Sequence, residues 1–195
     1  MVITQTASPP TDAALLERAR RGEAEAFGTL FERHASAVLR FCFRRTGDAA
    51  LAEDLTSIVF LEAWRRRDRT TFYGESARPW LFGVALNVAR SHARSRRRHA
   101  EALARLPVSR PSEPESEAAI ARLDAERRMR SLLAVVAKLN RREREVLELC
   151  VWGELSPEEA AGALGITPGA VRSRLSRARR RIAALEPLVD SPAAG

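Results

Sequence analysis

A chain of 195 residues with 45% hydrophobic content can form one ordinary domain or two small ones with packed cores. Its net charge of +8 is carried almost wholly by arginine, since Lys138 is the only lysine, and favours an anionic partner: nucleic acid or an anionic membrane surface. Two distant cysteines (Cys42 and Cys150), three histidines without ligand spacing (His34, His92 and His99) and no apolar run near the roughly 18 residues of a membrane span argue against a disulfide framework, a metal or cofactor site, and membrane insertion.

Residues 1–11, with Pro9 and Pro10, read as a loose tail and lack the basic start and apolar stretch of a secretory leader, so a cytoplasmic protein is expected. Residues 12–98 read as a helical domain. Within it Phe27, Leu30, Phe31, Val38, Leu39, Phe41 and Cys42 recur at helical spacing and predict a core face. His34 sits among polar neighbours and is assigned no role. Gly47 and Asp48 predict a helix stop and a new cap. In the helix that follows, the apolar residues at 51, 55, 58–61, 63 and 64 cover more than one face. It is therefore either the centre of a bundle or a helix with one side docked on a partner. Phe72 and Tyr73 stand in a polar, glycine-containing loop beside a basic block, where they suit stacking on unpaired bases or packing back onto the bundle. From Pro79 another helix carries Trp80, Leu81, Val84, Leu86 and Val88. Trp80 is expected in the core, and Asn87 is a candidate base contact.

Residues 99–125 read as an acidic linker, with three prolines and three glutamates between 106 and 117. Helical periodicity then returns over 126–186, before a short tail at 187–195. Asn140 followed by Glu143, and Ser156–Pro157 followed by Glu159, have capping-box spacing. Gly153 predicts a stop. Gly165, Thr167 and Pro168 predict a tight turn and a new helix start. Short helix, glycine turn and second helix make a helix-turn-helix unit. Val171, Leu175, Ala178 and Ile182 form the apolar stripe of its last helix. No stretch alternates as a strand would. The fold class is all-α: two small helical domains joined by a flexible linker.

Charge is distributed in blocks. Residues 65–98 hold ten arginines against two acids, 101–126 hold six acids against three arginines, and 168–182 hold six arginines and no acid. A solvated helix face normally interleaves glutamates at i,i+4 spacing. Without them the arginines of 168–182 repel one another unless phosphates neutralise them, which points to DNA. The start of the last helix would enter the major groove. Arg172, Ser173, Arg174 and Arg177 are therefore the base-reading candidates, and Arg179, Arg180 and Arg181 the phosphate contacts. No acid–base pair, nucleophile–base set or phosphate-cradling loop is visible, so an enzyme is not expected.

Three stretches, "GDAALAEDLTSIVFLEAWR", "RPWLFGVALNVARSHARSRRR" and "LNRREREVLELCVWGELSPEEAAGALGITPGAVRSRLSRARRRI", resemble bacterial sigma factors of the sigma-70 family, extracytoplasmic-function (ECF) group. They stand in the order of that family's domains two and four. The resemblance implies a dissociable specificity subunit of core RNA polymerase that directs it to promoter DNA and assists melting. It implies polymerase contacts at Asp54, Leu55, Ile58, Glu62, Trp64 and Arg65. It implies −10 element contacts at Phe72, Tyr73, Asn87, Arg90 and Arg94. It implies −35 element contacts at Thr167, Arg172, Ser173, Arg174, Ser176, Arg177, Arg179 and Arg180. An anti-sigma factor is a further implied partner. Ser57 and Ile58 stand where the family often carries a polar pair, and Ser91 where it often carries an acid. The competing readings are a stand-alone helix-turn-helix regulator and an RNA-binding adaptor.

Overall fold

A computed structural model describes residues 9–70, 75–103 and 117–184, and every regular element among them is helical. The boundaries follow local chemistry. Helix α1 (Asp12–Arg20) starts where Thr11 Oγ1 accepts the N–H of Ala14. Helix α2 (Ala24–Thr46) ends on Gly47, whose φ of 66° is a left-handed conformation that costs other residues a Cβ clash. Asp48 then caps α3 (Ala49–Arg66) through the N–H of Leu51 at 3.0 Å. A 3-10 turn (Arg67–Arg69) closes α3, and α4 spans Arg78–Leu103.

In the C-terminal half, α5 spans Glu117–Val136 and α6 spans Arg141–Leu147. Helix α6 widens into a π turn over Glu148–Trp152, which the sequence pattern does not announce. Helices α7 (Pro157–Leu164) and α8 (Pro168–Ala183) form the helix-turn-helix, joined through Gly165 at φ 64°. The Ser156–Glu159 capping box closes in both directions, at 2.8 and 3.2 Å. The Asn140–Glu143 box closes in only one: Asn140 accepts the Glu143 N–H at 3.0 Å, while the Glu143 side chain turns elsewhere.

The expected linker is helical at both ends, since α4 runs to Leu103 and α5 begins at Glu117; residues 104–116 lie outside the described ones. Helix α5 leans on the N-terminal bundle. Glu126 Oε1 accepts the N–H of Ala49 at the start of α3, at 3.1 Å. Arg130 and Leu133 pack so closely on Gly47 that an added Cβ would stand 3.1 Å from each.

The core sits among α1–α4, with Leu15, Leu30, Phe41, Leu55, Leu81 and Phe82 each about 1% exposed. It continues without interruption into Val146, Leu149, Ala160, Ala161 and Val171 of the C-terminal half. Phe31, expected in the core, is 44% exposed and packs edge-to-face with Phe60. Its place on the 3.6-residue spiral puts it at the rim of the buried stripe. Helix α3 fits both alternatives raised by its two-faced pattern. Ala52, Leu55, Val59, Phe60 and Ala63 are buried, while Ile58 and Leu61 are left exposed on the outer side.

Candidate nucleic-acid interface

Helix α8 is set by Thr167, whose hydroxyl accepts the N–H of Ala170, and by burial of Val171 and Ala178 with Leu175 and Ile182 half-buried behind them. The apolar stripe fixes which side faces out. Arg172, Ser173, Ser176, Arg177, Arg179 and Arg180 are exposed, with Arg174 half-buried.

The helix contains no acid, yet its arginines are not left to repel one another. Glu143 of α6, 1% exposed, lies 2.9 Å from Arg181 and 3.7 Å from Arg177. Glu158 of α7 lies 2.9 Å from Arg172. Three of the six arginines are thus answered from neighbouring helices, which corrects the expectation that only phosphates could do so. Arg177 also donates to Ser173 Oγ at 3.0 Å. Arg179 and Arg180 are exposed and carry no ion pair among the described residues.

In the N-terminal half, α3 and α4 enclose a groove of about 570 Å³ that brings Ile58 and Glu62 together with Asn87, Arg90 and Arg94. Two residue sets with separate expected roles therefore share one surface. Asn87 is exposed and accepts from Arg90 at 3.2 Å, and Arg94 is exposed. Glu62 pairs with Arg65 at 3.0 Å and Arg66 at 3.2 Å, and hydrogen bonding from Arg65 holds its carboxyl below the usual range. Asp54 and Ile58 are exposed. Leu55 is not: at 1% exposure it supports the face from beneath. Trp64 is half-buried, edge-on to Phe27, with the Arg67 guanidinium 3.9 Å above its ring. Trp80, expected in the core, is half-buried and packs against it. Phe72 and Tyr73 lie outside the described residues.

The two halves meet across a seam of buried charge. Arg90 reaches Glu145 at 2.8 Å, and Arg45 pairs with Glu148, which the π turn points inward. Burial pushes the Arg45 guanidinium down to about 10; Glu145 opposes that, while Arg90 and Arg144 add to it. Arg44 donates to the Trp152 carbonyl and Arg78 to that of Gly153. Gly153 ends the π turn with ordinary helical φ, so left-handed freedom is not why glycine stands there. A Cβ would lie 2.6 Å from the Leu149 carbonyl and 3.0 Å from the Phe82 ring. Beside the seam a cleft of about 900 Å³ sets Trp80 and Asn87 opposite Glu158 and Glu159. Sequence reasoning missed Glu143, Glu145, Glu148 and Arg45, because each acts through a partner in another helix. Cys42 is buried, and burial pushes its thiol up to about 11.

Comparison with known proteins gives this geometry a context. Residues 30–99 match the family model for Sigma-70 region 2, and residues 129–182 that for Sigma-70, region 4. The ECF RNA polymerase sigma factor BldN of Streptomyces coelicolor is 34% identical over 183 residues, 89% of this chain and 65% of that protein. The RNA polymerase sigma factor CarQ of Myxococcus xanthus is 36% identical over 86% of this chain and 92% of its own length. The ECF RNA polymerase sigma factor SigL of Mycobacterium tuberculosis is 32% identical over 87% and 93%. Among solved structures, CnrH in complex with the cytosolic domain of CnrY superposes with a TM-score of 0.66 at 28% identity, covering 92% of this chain and 99% of that one. The sigma factor RpoE of Bartonella quintana, solved with the anti-sigma factor NepR, shares the fold at a TM-score of 0.59 and 24% identity. With a region 2 bundle, a region 4 helix-turn-helix and relatives of this kind along most of its length, the chain belongs to the sigma-70 family of RNA polymerase sigma factors, in the ECF group.

Proposed function

We propose that the chain binds core RNA polymerase and directs it to promoters. Residues 12–98 would form the domain that docks on polymerase and captures the −10 element, and residues 126–186 the domain that reads the −35 element. The observation that carries this reading is the pair of basic faces, one on α4 and one on α8, each projected by its own buried stripe. Asp54, Ile58, Glu62 and Arg65 form the polymerase-facing side, with Leu61 adding exposed apolar area. Asn87 and Arg94, with Phe72 and Tyr73, take the unpaired −10 strand, and Arg90 joins them once Glu145 releases it. On α8, Arg172, Ser173, Arg174 and Arg177 would take base edges and Arg179 and Arg180 phosphates, with Thr167 and Ser176 beside them.

The chemistry of RNA synthesis belongs to the polymerase, so this chain acts as a specificity subunit and not as an enzyme. No helix among the described residues is long and apolar enough to cross a membrane. A cytoplasmic place beside the polymerase fits that. Two structural relatives were solved in complexes, CnrH with the cytosolic domain of CnrY and RpoE with the anti-sigma factor NepR. By likeness, an anti-sigma factor is the expected third partner here.

Run-off transcription of fragmented host DNA by core polymerase, with and without the protein, tests the reading. New discrete transcripts that require the protein are expected. No transcript from an active core enzyme, together with a specific duplex shifted by the protein alone, would replace it with a stand-alone regulator.

A further inference from the structure

Glu143, at the third residue of α6, is 1% exposed, and burying a carboxylate costs heavily unless its oxygens are answered. The ordinary use of an acid at that position is to return a bond to the N-cap. Glu159 of α7 does so for Ser156 and stays exposed. Glu143 turns to α8 instead. Its Oε2 accepts from Arg181 Nη1 at 2.9 Å, and its Oε1 lies 3.7 Å from Arg177 Nε.

The two arginines are one helical turn apart, yet they are held differently. Arg181 suffices to tie α8 to α6, and Val171 and Ala178 already bury the helix. Arg177 has a second hold, since its Nη1 donates to Ser173 Oγ at 3.0 Å. Its guanidinium is thus fixed from two sides while the side chain stays 49% exposed. Arg172 offers the contrast. Its partner Glu158 is as exposed as Arg172 itself, so water screens that pair and leaves the arginine mobile. A bidentate contact with a base edge needs the plane of the guanidinium set as well as its position. Fixing that plane beforehand removes the entropy that binding must otherwise take from a long side chain.

We propose that Glu143 is a positioning residue for −35 recognition, which presets Arg177, together with Ser173, for one base pair. The proposal rests on the base-reading role given above to Arg177. Glu143 lies buried behind α8 and touches no DNA. Its influence falls on the base pair that Arg177 reads and not on those read by Arg172.

The test measures binding of holoenzyme to promoter duplexes with each −35 base pair varied in turn. The readout is the affinity ratio between the preferred base pair and the others at each position. That ratio does not depend on the fraction of protein folded. Arg177→Ala is expected to lose a preference of about tenfold or more at one position, which locates its base pair. Glu143→Gln, which keeps the shape and loses the charge, is expected to lower the ratio there to below about a third of the wild-type value and to leave the other positions within about twofold. Glu143→Asp keeps the charge but draws it back by one methylene, and an intermediate ratio at the same position is expected. Arg181→Ala is expected to weaken all duplexes alike and leave every ratio unchanged, as loss of a helix tie or a phosphate contact would. A wild-type ratio at that position in Glu143→Gln, or in Glu143→Asp should the first not fold, overturns the positioning role. So does an equal fall at all positions, or the same single-position loss in Arg181→Ala, which would assign the effect to the seating of α8. If Arg177→Ala loses preference at no position, the base-reading assignment beneath the proposal is overturned instead.

Discussion

The arginines of α8 and those along the seam differ in where their counter-charges come from. On α8, Arg172, Arg177 and Arg181 are answered by Glu158 and Glu143, both within the same domain. At the seam, Arg45 and Arg90 of the N-terminal half are answered by Glu148 and Glu145 of the C-terminal half. The first kind of pair survives if the halves part. The second kind exists only while they touch. Burial separates them too: Arg172 and Glu158 are both more than half exposed, so their pair contributes little to stability, whereas the side chains of Arg45 and Glu148 are 15% and 1% exposed, and losing one partner leaves a largely desolvated charge behind.

The largest expected effect follows from that contrast. Glu148→Ala strands Arg45, at a cost of about 3–5 kcal/mol if the seam stays closed. The halves are expected to separate instead, seen as a larger radius of gyration in small-angle scattering. An unchanged radius and melting temperature would mean that the seam pairs do not hold the halves together. On the α8 side, Arg172→Ala is expected to leave compactness unchanged and to alter which −35 sequences function, at a cost of about 1–3 kcal/mol at one base pair. Arg180→Ala should be milder, weakening all promoters alike and reducing the slope of log affinity against log salt by about 0.9. If both variants lost every promoter equally, the division of α8 into base readers and phosphate contacts would fail.

Acid sharpens the comparison from within the N-terminal half. Burial by itself would raise the Asp12 carboxyl, but the Ala77 N–H, the His34 ring and Arg33 outweigh it and hold the group below its ordinary range. A depressed carboxylate contributes stability above the unfolded-state value of about 4, and that contribution disappears as pH falls through the folded-state value. Urea melts at stepped pH should show this acid loss in wild type and a shallower one in Asp12→Asn. Equal slopes would place the acid sensitivity elsewhere.

Much of this architecture was legible locally. A cap acts across three residues, so Asn140, Ser156 and Thr167 could be placed from their spacing alone, and each accepts the bond it should. The stripe Val171–Leu175–Ala178–Ile182 was readable for the same reason: it is a property of one helix. What could not be read depends on residues far apart in the chain. Glu143 looked like half of a capping box, and only the crossing of α6 and α8 turns it toward Arg177 and Arg181. His34 looked idle until Asp12 was brought to it across 22 residues. The Arg44 contact with Trp152 spans 108. The π turn that aims Glu148 at Arg45 has no compositional mark. Leu55 was placed correctly on α3, but periodicity over two apolar faces did not say which face was covered.

The continuous core has a consequence of scale. A compact chain of 195 residues has a radius of gyration of about 16 Å and is about 40 Å across. Elements centred on −10 and −35 are about 25 base pairs apart, or about 85 Å of duplex. One closed body cannot lie along both. A promoter that uses both faces therefore selects an open form, and its apparent affinity is the intrinsic one multiplied by the fraction of chains already open. Each 1.4 kcal/mol of seam stability costs about tenfold in that fraction. On the proposed two-element reading, residues such as Gly153 and Phe82, which pack at the seam, would set how strongly every promoter is bound without affecting which one is chosen.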